Sequence, residues 1–357
     1  MDDDQHTLQQ WDALLGDAVA HELPAEALAG WTPVDLDPER ELVAWTDLRG
    51  VELTEPFLYQ TFLRHWQRGG GPSARFTSLQ ALFALRDLAP ALAPTGFIFH
   101  VSGCGSTLLS KMLASVDHNL VLSQPTAISA ALLARPPAFD EAGKAELLRA
   151  LIHALAQPRG APKQHCLVKL LSWNVLHLRL FRAAYPHVPW VFLYREPVEV
   201  VISNVRAERE FPSPFGRFMW RDFQHDPEVA HALTRIPRDE LAALSREQYC
   251  ARTLANLLSA PIPHLHDGGL AINYRDLVSE QCLRAVLAHL GMSAADPEVA
   301  TMLERTRYYS KDLGGRTPFV SDAAHKRRQA DDATREYTAR WTSEAYGQLE
   351  ALAWRPS

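Results

Sequence analysis

Cysteine is scarce in this 357-residue chain: Cys104, Cys166, Cys250 and Cys282 lie far apart, and no two form a C-x-x-C pair. That spacing argues against a disulfide framework or a structural zinc site, and reduced thiols are expected. Long apolar runs are also missing, so no bilayer-crossing segment and no membrane partner are expected. The opening residues, Met1-Asp2-Asp3-Asp4-Gln5-His6, lack the positive charge of a secretory leader, and a cytoplasmic location is expected. Net positive charge is absent: 36 Lys and Arg stand against 42 Asp and Glu, a formal charge of −6. This argues against a nucleic-acid partner while leaving room for a local basic pocket. His264 and His266 form only an H-x-H after two prolines, too little for a metal site, and no metal is expected. There is no internal repeat and no low-complexity tract.

What the chain does have is a change of character near Gly96. Residues 1–90 read as an N-terminal extension, with aromatic segments around Trp31 and Trp45 and a Trp-free stretch carrying Phe57, Tyr59 and Phe62. The Gly69-Gly70-Gly71-Pro72 breaker follows that stretch within the extension, which is a possible lid. Residues 91–310 alternate short apolar runs with helical patterns. Strands are expected at Phe97–Val101, Cys166–Lys169, Trp190–Tyr194 and Leu270–Tyr274. Helices are expected after Gly105, over Glu141–Gln157, Asn174–Tyr185, from Pro197, and over Arg246–Ser259 and Glu280–Leu290. Residues 311–357 read as a helical tail, basic around Lys326-Arg327-Arg328. Alternation of this kind implies an α/β fold: a mostly parallel sheet with helices on both faces, flanked by N-terminal and C-terminal extensions.

Ligands of such sheets bind at the carboxyl ends of the strands. Three of those ends are polar here. The first is the loop Ser102-Gly103-Cys104-Gly105-Ser106-Thr107, between an apolar strand and a helix with Leu108, Leu109, Met112, Leu113 and Val116 on one face. A strand, a glycine loop and a helix together aim backbone N–H groups and the positive end of a helix dipole at an anion. Gly103 and Gly105 keep Cβ atoms out of the way, and Ser106 and Thr107 add hydroxyl donors. It is not a Walker A loop, since no lysine precedes the hydroxyls, and Leu108 stands where a dinucleotide fingerprint needs its third glycine. The other two polar ends are Lys169 and Arg195.

On these residues the chain resembles the P-loop sulfotransferase family, in its bacterial branch. That family binds 3′-phosphoadenosine 5′-phosphosulfate with a Lys/Arg-Ser-Gly-Ser/Thr-Thr loop, and Gly103-Cys104-Gly105-Ser106-Thr107 occupies that frame. The family's second signature is a strand ending in Arg-x-Pro with a serine eight residues after the arginine; here it is Arg195-Glu196-Pro197 with Ser203. The resemblance implies that Arg195 and Ser203 clamp the 3′-phosphate, for which a guanidinium fork suits a dianion. It also implies that Lys169 sits over the transferring sulfuryl group as the catalytic cation. Ile272-Asn273-Tyr274-Arg275-Asp276-Leu277 is similar to the family's late strand. The resemblance covers about residues 95 to 280.

The chain departs from the pattern in several places. Gly103 replaces the basic residue that opens the family's loop. Leu171 stands where cytosolic members carry a histidine base, and Gln124-Pro125 where others carry Glu-Pro. The late glycine and tryptophan segment has only poor counterparts in Gly314-Gly315-Arg316 or Lys326-Arg327-Arg328. Asp117, His118, Glu208 and His225 remain open as bases, although each reads more readily as an ordinary polar surface residue, and His100 reads as a packed or capping histidine. Two functions follow. One is a sulfotransferase acting on a hydroxyl or amine of a small-molecule or peptide acceptor. The other is a nucleotide-binding protein of the same fold that lacks sulfuryl transfer or performs phosphoryl transfer.

Overall fold

The structure, a computed structural model, describes residues 2–69, 74–134, 139–205, 231, 234–241, 243–312 and 317–356. Glu208, His225 and Gly314-Gly315-Arg316 lie outside the described residues, as does most of the Gly69–Pro72 breaker. The strands are β1 (Trp31–Asp37), β2 (Leu42–Asp47), β3 (Ala74–Ser78), β4 (Pro94–His100), β5 (Asn119–Ser123), β6 (His165–Lys169), β7 (Trp190–Tyr194) and β8 (Gly269–Asn273). They form an antiparallel sheet in the order β1-β2-β3 and a five-stranded sheet in the order β5-β6-β4-β7-β8. The pairs β4–β7 and β7–β8 are parallel, and the α/β class expected from sequence is the class observed.

The chain divides into two compact units. The first comprises Met1–Thr95, Val116–Val168 and Leu180–Pro186. Its helices are α1 (Asp2–Asp17), α2 (Leu58–Gly69), α3 (Leu79–Leu88), and, after α4 (Ser106–Ala114) of the other unit, α5 (Thr126–Leu133) and α6 (Glu141–Leu155). The small sheet is buried on both faces, because alternate residues of β2 point opposite ways. Val43 and Trp45 join Leu79, Leu82, Ala127, Leu147 and Leu151, whereas Leu42 and Ala44 join Trp11, Phe62, Trp66 and Phe76. The buried Trp45 indole donates to Thr77 Oγ1 at 2.9 Å, which removes the cost of an unpaired N–H.

The second unit comprises Gly96–Ser115, Lys169–Arg179 and His187–Ser357. Here β4 and β7 run in register from Phe97↔Trp190 to His100↔Leu193, and every residue of β7 is buried. That continuous apolar run is what a strand covered on both faces requires. α4 (Ser106–Ala114) follows the glycine loop and α8 (Pro197–Val205) follows Arg195. The expected Asn174–Tyr185 helix is broken: a 3₁₀ segment over Ser172–His177 precedes α7 (Leu178–Ala184), whose residues from Leu180 on belong to the first unit. Asn174 accepts the Leu171 N–H at 2.9 Å, so its side chain caps a short turn instead of extending a helix.

Candidate active site

The loop, Lys169 and Arg195 all belong to the second unit, and the sheet order explains why they meet. β4 lies between β6 and β7, so its carboxyl end falls between the ends that carry Lys169 and Arg195. Chains leaving neighbouring strands at such a switch point leave a crevice for a ligand. The backbone is tied there by Leu170 N–H to Ile98 O at 3.0 Å and by Val101 N–H to Leu193 O at 3.0 Å.

The loop turns on two glycines with positive φ, Gly103 at 74° and Gly105 at 84°. Gly105 is the left-handed N-cap of α4, and Leu109 N–H to Gly105 O at 3.0 Å begins the helical ladder. The first amides of α4 have no intrahelical acceptor, and the positive end of its dipole gathers there. Ser106 and Thr107 are each 5% exposed. Cys104 turns away from the loop's open side: its buried thiol donates to Val101 O and Leu193 O, at 2.7 and 3.2 Å. Burial pushes that thiol up to about 12, so Cys104 offers the site a backbone group and no thiolate.

A Cβ on Gly105 would lie 2.6 Å from Tyr274 Cδ2 and 2.8 Å from Leu277 Cδ2. Gly105 is therefore required by the residues after β8 as well as by any anion in the loop.

Lys169 is fully buried, and its ammonium donates to Thr107 Oγ1 at 3.2 Å. Burial, reinforced by the Lys311 charge, lowers it to about 7. His100 is buried beside it, with Nδ1 2.9 Å from Val101 O and Nε2 2.8 Å from Leu170 O. Burial and the Lys169 charge lower His100 to about 3, so it is neutral and its single N–H donates to one of these two carbonyls.

The sign of the Lys169 effect is testable. Between about pH 7 and the ordinary lysine value of 10.5, the unfolded chain holds a proton that the folded chain has released. Stability must then rise with pH across that window. Denaturant unfolding at pH 7 and pH 9.5 is expected to show this gain in the wild type relative to Lys169→Met, which has nothing to titrate there. A parallel pH dependence of the two proteins would contradict the assignment.

Arg195 is 5% exposed and spends each of its three nitrogens. Nε bonds Glu199 Oε2, Nη1 donates to Gly103 O at 3.1 Å, and Nη2 donates to Asp322 Oδ1 at 3.2 Å. The guanidinium also lies 4.5 Å from the centre of the Tyr274 ring. Burial opposes its charge, but Glu199 and Asp322 more than offset this and hold it above the usual arginine value. Ser203 is half-buried on α8, one turn beyond Glu199 and so on the same helical face.

Sequence reasoning finds the loop, Lys169 and Arg195 but misses Glu199, Tyr274 and Asp322 as their partners. Glu199 carries a local signal, four residues after Arg195; Asp322, 127 residues away, carries none. Of the open bases, Asp117 and His118 lie in the first unit, where the His118 ring faces His165 at 5.8 Å. Among the described residues, no group of His, Cys, Asp or Glu is placed to hold a metal ion, and no helix is long and apolar enough to cross a membrane.

The fold and site define an α/β protein with a glycine loop at a strand-to-helix turn, flanked by the buried Lys169 and Arg195. Among solved structures, the chain is similar to a sulfotransferase from Alicyclobacillus acidocaldarius, at 14% identity, TM-score 0.39, over 74% of this chain and 98% of that one. It is similar to sulfotransferase STF9 from Mycobacterium avium, at 12% identity, TM-score 0.43, over 91% and 97%. It is also similar to mouse sulfotransferase SULT7A1 complexed with PAP, at 13% identity, TM-score 0.40, over 77% and 96%. No protein-family model and no curated protein matches the chain.

Proposed function

We propose that this chain transfers a sulfuryl group from 3′-phosphoadenosine 5′-phosphosulfate to a hydroxyl or amine of a small-molecule or peptide acceptor. The observation that carries this reading is the pairing of Lys169 with Thr107 at 3.2 Å, which joins a buried ammonium to the glycine loop. In the transfer, the acceptor atom bonds to sulfur as the bond from sulfur to the 5′-phosphate oxygen breaks. The acceptor's proton passes to solvent or to the departing phosphate, and 3′-phosphoadenosine 5′-phosphate leaves with the bonding electrons. The protein's task is in-line positioning and charge stabilisation. The loop amides, Ser106 and Thr107 suit the 5′-phosphate, Lys169 the sulfuryl oxygens, and Arg195 with Ser203 the 3′-phosphate.

The reading is tested with sulfur-35-labelled donor and a pool of hydroxyl and amine acceptors. Label should move to an organic product with the wild type. Tight nucleotide binding with no transfer to any acceptor class would favour the second reading, a nucleotide-binding protein without turnover, to which Gly103 in place of the family's cation already lends support.

Arg195 gives a separate prediction for binding. Arg195→Ala should cost about 2–4 kcal/mol of affinity for 3′-phosphoadenosine 5′-phosphate and erase its preference over adenosine 5′-phosphate, because a charge-assisted fork is lost. The substitution removes the buried partner of Glu199 and leaves it only the more exposed Arg327 at 3.4 Å, so calorimetry should include Arg195→Ala with Glu199→Gln, which has no carboxylate to compensate. Retained preference in that double variant would remove Arg195 from the nucleotide site.

A further inference from the structure

The Asp322–Arg195 contact has a form that neither residue's neighbourhood requires. Asp322 stands immediately before the Ala323–Gln329 helix, where an aspartate ordinarily turns its carboxylate back onto its own helix. Here it makes no such cap. Oδ1 goes to Arg195 Nη2 at 3.2 Å and Oδ2 to Lys326 Nζ at 2.7 Å. The Asp322 side chain is 48% exposed, whereas that of Arg195 is 7% exposed, so the aspartate reaches the buried guanidinium from the solvent side.

What else holds this segment is also electrostatic. The Ala323–Gln329 helix buries no residue, and Val320, just before it, is 81% exposed. Arg327 pairs with Glu199 at 3.4 Å, the same carboxylate that bonds Arg195 Nε. The helix is therefore held by ion pairs around one guanidinium on the α8 side and by Arg335, which donates to the Arg327 carbonyl, without apolar burial of its own. Segments held in this way belong to the low end of local stability.

We propose that Asp322 is a displaceable latch: its carboxylate occupies the position on Arg195 that the 3′-phosphate takes, and nucleotide entry releases the Ala323–Gln329 helix. The proposal rests on the reading of Arg195 as a phosphate clamp. The exchange has a direction, because a phosphate dianion brings two charges and several acceptor oxygens to the fork where the carboxylate brings one oxygen. Glu199 stays on Nε and keeps the guanidinium oriented; once Asp322 is displaced, the remaining ion pair to α8 is Arg327–Glu199 at 3.4 Å, whose half-exposed arginine holds the helix only weakly. An apo protein latched about nine-tenths of the time would bind nucleotide about tenfold more weakly than an unlatched one.

The test is calorimetry of 3′-phosphoadenosine 5′-phosphate with wild type, Asp322→Asn and Arg195→Ala, paired with hydrogen exchange over residues 323–329. Asp322→Asn keeps the side chain's shape at an exposed position. It should bind about tenfold more tightly, and its 323–329 amides should exchange as fast without nucleotide as the wild type's do with it. Unchanged or weaker binding by Asp322→Asn, while Arg195→Ala still loses affinity, overturns the latch and leaves the clamp standing. Protection of the helix when nucleotide binds the wild type also overturns it. If Arg195→Ala binds like the wild type, the clamp itself is wrong and the latch falls with it.

Discussion

Lys169→Met should lower sulfuryl transfer by about a hundredfold or more, the scale of losing one electrostatic stabiliser aimed at a developing charge. Affinity for 3′-phosphoadenosine 5′-phosphate, which has no sulfuryl group, should change far less, because the interaction is made mainly in the transition state. Methionine fills the space of the fully buried lysine, so packing and charge are separated in this variant. With Gly103 opening the loop, Lys169 is the motif-matched cation nearest the Thr107 hydroxyl, at 3.2 Å. Lys169→Arg should restore little, since a planar fork is larger than an ammonium in a site with no exposed surface. Single-turnover kinetics on the three proteins decides the matter. Lost affinity with unchanged turnover at saturation would make Lys169 a binding residue instead of a catalytic one.

Gly105→Val should remove nucleotide binding and also destabilise the protein, by about 2–5 kcal/mol. That sum combines a β-branched residue forced into left-handed backbone with overpacking of a filled space. The backbone there has φ of 84°, and the new Cβ would meet the Tyr274 ring and Leu277 at under 3 Å. Denaturant unfolding gives the stability change and calorimetry the binding. A variant that folds as stably as the wild type yet fails to bind would mean that Tyr274 and Leu277 yield readily, leaving the anion as the sole reason for the glycine.

Gly105 also marks where sequence reasoning stops. The glycine's place between strand and helix is legible from the apolar run before it and the 3.6-residue pattern after it. The nearness of Tyr274, 169 positions later, is not, because it depends on how β8 lies beside β7. The same division holds across the site. Trp190–Tyr194 and Arg246–Ser259 are observed over the spans their patterns indicate, since a continuous apolar strand and a capped amphipathic helix carry their signals locally. Ser245 and Gln248 form the capping box that starts that helix. The β1-β2-β3 sheet was not legible: Pro33 and Asp35 interrupt β1, and the register shift between them breaks the alternation that marks a strand. β5 was likewise not legible, because only Leu120, Val121 and Leu122 of its five residues are apolar. In the site, the cations could be named from motifs, but the carboxylates that neutralise them could not. Glu199 and Asp322 reach Arg195 through the packing of α8 and the Ala323–Gln329 helix.

The measurement that tests the account most directly is a calorimetric comparison of 3′-phosphoadenosine 5′-phosphate with adenosine 5′-phosphate on the wild-type protein. The two nucleotides share the base, the ribose and the group that would fill the glycine loop, and differ only in the 3′-phosphate assigned to Arg195 and Ser203. A charge-assisted fork predicts that the first binds at least about thirtyfold more tightly, the equivalent of about 2 kcal/mol. Equal affinities would contradict the assignment of the strand-end arginine, and with it the reading of this site as one for a 3′-phosphorylated sulfuryl donor.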